Sequence, residues 1–130
     1  MFVNIDGVHP DLIAVLSKAA TLSRTRFCVV RGRITQEQAK ELVRAKMART
    51  ENLRNVTGHA VNVIPLDQDG NPVPYGQCFG HVADAVLLAA HELAIPVDWG
   101  GWSERDPDMS QFELRWDVYP ADWGKGPFRM

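Results

Sequence analysis

The sequence predicts an α+β domain in which about three helices pack on a small antiparallel sheet. Three observations lead there. Apolar residues recur at helical spacing in three segments, short β-branched runs fall between and after them, and the two kinds of element do not alternate regularly as βαβ units would. With 130 residues and 45% hydrophobic content the chain can fill one core, so residues 1–130 are read as a single domain.

The first helix is predicted over about residues 10–22. Pro10 suits a first helical position, and Leu12, Ile13, Val15, Leu16 and Ala19 form a core-facing stripe. Residues 26–30 read as a short buried strand that Gly32 ends. Thr35, followed three residues on by Gln38, has the spacing of a capping box and opens a second helix through about Lys46, with Leu42 and Val43 turned inward. Residues 48–58 are polar and irregular and read as a loop. Ala60 to Ile64 is nearly continuous and β-branched, which predicts a central strand ended by Pro65.

Residues 67–80 carry several glycines and prolines and read as a long loop or hairpin. Its opening, Asp67-Gln68-Asp69-Gly70, has the start of a calcium loop without the later ligand positions, so an ordinary turn is expected. Alanines and leucines from His81 to Leu93 predict the third helix, stopped before Ile95-Pro96. Strands follow at 97–99 and 112–116, separated by Gly100-Gly101 and an acidic loop that runs to Ser110. No internal repeat is present.

Charge and patterning exclude several functions. Fourteen Lys and Arg against sixteen Asp and Glu, with no basic block, argue against a nucleic-acid partner held through phosphates. Apolar runs such as Val86–Ala90 fall far short of a membrane span, and the N-terminus lacks the pattern of a secretory signal. Cys28 and Cys78 are expected as reduced thiols. His81 and Asp84, three apart on a helix, read as a solvated face rather than half a metal site.

Four blocks carry more specific information. Gly32-Arg33-Ile34-Thr35 precedes a helix, and Ala48-Arg49-Thr50-Glu51-Asn52-Leu53-Arg54-Asn55-Val56-Thr57-Gly58-His59-Ala60-Val61-Asn62 leads into a strand. The alanine-rich helix from His81 runs on to Trp99-Gly100-Gly101, and Asp108-Met109-Ser110-Gln111-Phe112-Glu113-Leu114 follows. In order and separation these blocks resemble the zinc D-alanyl-D-alanine carboxypeptidase and L-alanyl-D-glutamate peptidase family, which includes many phage endolysins. The resemblance covers about residues 27–120 and leaves 121–130 as a C-terminal extension.

The resemblance implies the family's fold, and it also exposes departures. The family holds zinc through the His of S-x-H, an Asp seven residues later and the His of D-x-x-H. Those positions are Asn55, Asn62 and Gln111 here, so no metal and no other cofactor is expected. The family's carboxylate-binding Arg falls on Ile34, with Arg33 adjacent, and Leu53 replaces the motif serine. Asp108 stands at the general-base position, and without a metal to activate water it is expected to be vestigial.

Arg33, Asn55, His59, Asn62 and Gln111 are thus expected to line a vestigial cleft. The resulting expectation is a catalytically inactive, phage-derived protein, made in the bacterial host cytoplasm and serving a structural role in a virion or tail. Alternatives are a non-catalytic peptidoglycan-binding module and a peptidoglycan peptidase with an unusual site. Its expected partners are other protein chains of an assembly, with contacts from the Gly101–Ser110 loop and from Trp116, Tyr119, Trp123, Phe128 and Arg129, residue types enriched at interfaces.

Overall fold

The computed structural model describes residues 4–48, 53–73, 75–105 and 107–120. Three helices and a four-stranded antiparallel sheet make up these residues, in the order α1 (Pro10–Leu22), β1 (Arg26–Arg31), α2 (Gln36–Arg44), β2 (Ala60–Leu66), α3 (Gly76–Leu93), β3 (Val97–Trp99) and β4 (Gln111–Leu114), with a 3-10 turn at Gly100–Trp102. The strands lie in the order β1-β2-β4-β3. The α+β architecture expected from sequence is the one found.

Helices α1 and α2 start where a side chain provides a partner for their free N–H groups. His9 caps α1 through Nδ1, which accepts from the Asp11 amide at 3.0 Å, and Pro10 takes the first helical position. Thr35 and Gln38 form the expected capping box, with bonds of 3.0 and 2.8 Å. The body of α2 is shorter than expected, ending at Arg44, and its buried residue is Ala39 while Leu42 and Val43 are half-buried.

Three further boundaries differ from the sequence reading. Helix α3 begins at Gly76 rather than His81, so Gly76 and Gly80 lie within it. Packing of Val82, Ala85, Val86 and Ala89 outweighs the helix penalty of about 1 kcal/mol that each glycine carries. Strand β2 continues through Pro65 to Leu66. β4 pairs only with Ala60–Asn62, so the missing N–H of Pro65 costs no bond to β4, and on that side the Pro65 carbonyl accepts the Val73 amide at 2.9 Å. Strand β4 ends at Leu114, since Arg115 and Trp116 enter a turn in which the Val118 and Tyr119 amides donate to the Arg115 carbonyl.

Strand alternation divides the sheet into two faces. Phe27, Val29, Val61, Val63, Phe112 and Leu114 meet Leu12, Val15 and Leu16 of α1 and Val82, Val86 and Ala89 of α3 in one core. The other face carries Asn62 and its cross-strand partner Gln111, and beside them the pair Ala60 and Glu113. In the turn after β2, Asp67 Oδ1 accepts from the Asp69 and Asn71 amides, and Gly70 adopts the left-handed conformation. This is the ordinary turn expected there. Both cysteines are free.

Candidate active site

The site is assembled where the turn before β2, the middle of β2 and the turn before β4 converge. Asn55, only 1% exposed, donates through Nδ2 to the Gly32 carbonyl and to Asn62 Oδ1, both at 3.2 Å. Asn62 donates through its own Nδ2 to Ser110 Oγ at 2.9 Å and to Asp108 Oδ2 at 3.3 Å. The Ser110 hydroxyl donates to Asp108 Oδ1 at 2.6 Å, and the same oxygen accepts the Ser110 amide at 3.0 Å. A continuous relay therefore runs from the end of β1 to the Asp108 carboxylate. Gln111 joins it by position, directly across the ladder from Asn62.

Local backbone chemistry explains why the Asp108 turn lies there. The Trp99 indole donates to the Met109 carbonyl at 2.8 Å, and the Asp108 amide donates to the Gly100 carbonyl at 3.1 Å. A Cβ at position 100 would stand 2.4 Å from the Asp108 carbonyl oxygen, so glycine is needed for this close approach. The Val63 amide then ties the turn to β2 by donating to the Ser110 carbonyl at 2.8 Å. In front of Asp108 and Ser110 lies a hollow of about 560 Å³, walled also by Lys46, Met47, Phe79 and Pro107. A second hollow, of about 660 Å³ beside His91, Ile95 and Trp102, contains none of the relay residues.

Behind the site, Arg54 clamps the turn that carries Asn55. It is 8% exposed and donates to Glu113 Oε2 at 3.1 Å, to the Leu114 carbonyl and to the Tyr119 carbonyl, while its guanidinium lies 5.2 Å from the centre of the Trp116 ring. Burial pushes the Glu113 carboxyl above its usual range, against the opposing pull of Arg54. Sequence reasoning missed Arg54 and Ser110. Ser110 was detectable, since Asp108-x-Ser110 is the spacing of a side-chain turn; a single buried arginine leaves no such pattern.

Two expected cleft residues are directed elsewhere. Arg33 donates through Nε to the Val56 carbonyl at 3.2 Å. The His59 ring faces Thr57 Oγ1 at 2.9 Å and stands 5.5 Å from the His9 ring, towards the start of α1. Of the expected interface residues, Trp116 covers Arg54, and the Tyr119 hydroxyl donates to Asp11 Oδ2 at 2.6 Å and packs against the core. Trp123, Phe128 and Arg129 lie outside the described residues.

The small α+β domain carries its Asp108-bearing cleft on one face of the sheet, and comparison with known proteins places it in a family. The family described as phage L-alanyl-D-glutamate peptidase matches residues 2–119, and the chain belongs to that family. It is also similar to the crystal structure of the Serratia marcescens L-Ala D-Glu endopeptidase ChiX, with 36% sequence identity, a TM-score of 0.86, and coverage of 91% of this chain and 88% of that one. No curated protein matches the chain.

These relationships correct the expectation that the chain is not an enzyme, since both the family and the similar structure are L-Ala-D-Glu peptidases. Carboxamides bear on metal affinity, whereas the cleft and its Asp108 carboxylate are still assembled. Among the described residues no helix is long and apolar enough to cross a membrane.

Proposed function

We propose that this chain is a peptidoglycan peptidase of the endolysin kind, opening the bond between L-Ala and D-Glu in stem peptides. The supporting observation is 36% identity, over 91% of the chain, to an endopeptidase of that specificity. The cleft chemistry suits the reading. Asp108 accepts the proton of a water whose oxygen attacks the L-Ala carbonyl carbon, and it returns that proton to the D-Glu amine as the C–N bond breaks. Ser110 and Asn62 hold the carboxylate in place through their hydrogen bonds. Lys46, on the wall of the same hollow, supplies a cation for a substrate carboxylate.

General-base assistance contributes roughly 10²–10⁴-fold, so turnover is expected to be slow and is best read over long incubations. Purified protein is incubated with cell-wall sacculi and with a soluble L-Ala-D-Glu stem peptide, and new D-Glu amino termini are quantified by mass spectrometry. The expected result is a steady release that Asp108→Asn abolishes. Release that is absent, or equal in the variant, overturns the proposal; stem-peptide binding without cleavage does so as well.

A further inference from the structure

We infer that the cleft does not take the zinc its family resemblance implies, and that a pinned network of neutral carboxamides holds the site together instead. The donors do not fit the ion. Zinc is held by imidazole nitrogen, thiolate or carboxylate, and the relay offers two asparagine amides and a single carboxylate, Asp108. Among the described residues no group of three or more His, Cys, Asp or Glu could hold a metal.

The orientation of the amides argues further against a cation. A carbonyl oxygen only accepts, so the contact of Asn55 with the Gly32 carbonyl requires its nitrogen to face that way. Its second N–H then points at Asn62 and requires that residue to present its oxygen. Asn62 is thereby left with its nitrogen towards Asp108 and Ser110. One backbone carbonyl thus sets both side chains. The Asn62 oxygen that a cation would need is already engaged with an N–H, and the nitrogens present hydrogens rather than lone pairs. A cation at this point would have to break a buried, mutually satisfied set of bonds.

The inference does not depend on the peptidase proposal, because its readouts are metal content and melting temperature. Purified protein is analysed for metal, titrated calorimetrically with zinc, and melted in chelator and in excess zinc. Ligand linkage raises the melting temperature only where the folded state binds the ion. The expected result is no saturable zinc heat and identical melting in both conditions.

The triple variant N55H/N62D/Q111H is expected to gain one zinc per chain, to show the saturable zinc heat that the unaltered protein lacks and to melt higher in zinc than in chelator. A second variant, Asn55→Asp, covers the case in which the triple variant does not fold. Its carboxylate faces the Gly32 carbonyl, so it is expected to melt lower at neutral pH whether or not zinc is present. Stoichiometric zinc that survives dialysis of the unaltered protein, a zinc-dependent rise in its melting temperature, or rescue of Asn55→Asp by zinc overturns the inference.

Discussion

His59 shows how far a motif can be trusted at the scale of one residue. Its place beside Gly58 and Ala60 suggested a cleft position, yet the ring turns towards His9 and α1. Spacing fixes where a backbone lies, and the packing of distant elements decides where a side chain goes. The environment it reaches lowers its pKa from 6.5, first through burial and then through the positive charges of Arg54 and His9. Between 6.5 and the lowered folded value the unfolded chain binds more protons, so stability falls as pH drops through that window. His59→Gln is therefore expected to flatten the fall in melting temperature between about pH 7 and pH 5. Melts of both proteins across this range test it, and an unchanged slope counts against the account.

At the scale of elements, hydrophobic period and capping residues were legible because both are local. The stripe of α1 and the Thr35–Gln38 box needed no tertiary information. The misread boundaries at Gly76 and Pro65 arose where glycine and proline signals met packing or strand pairing that only the assembled sheet reveals. Arg54 is the element-scale device that the sequence concealed, joining the turn before β2 to the end of β4 and the turn beyond it. Arg54→Ala leaves Glu113 and two carbonyls without their partner and is expected to cost about 3–5 kcal/mol in chemical denaturation. A loss below about 1 kcal/mol, the range of an exposed ion pair, would mean that the clamp carries little.

Across the whole molecule, the sheet separates tasks by face. Helices α1 and α3 bury one side, and the relay of Asn55, Asn62, Asp108 and Ser110 occupies the other. The order of four sequence blocks was enough to reach the family, because such order reflects a shared backbone path. It was not enough to settle activity, since chemistry depends on a few side chains that a shared path does not specify. Asn62, Gln111 and Asp108 were identified through the family resemblance, and their convergence follows from the pairing of β2 with β4. The pinning of the amides by the Gly32 carbonyl could not be foreseen, because it depends on a backbone atom 23 residues from Asn55.

The pairing of β2 with β4 also bears on how the chain reaches this state. Asn62 and Asp108 are 46 residues apart, and Arg54 and the Leu114 carbonyl are 60 apart. Closing such loops costs entropy before any contact repays it, so contacts across this seam are expected to form after the folding barrier has been crossed. In stopped-flow experiments Arg54→Ala should then accelerate unfolding and leave the refolding rate nearly unchanged, a φ-value close to zero. A φ-value near one would instead place the seam in the folding nucleus. With a low value, the candidate active site is among the last parts of the molecule to close and among the first to open.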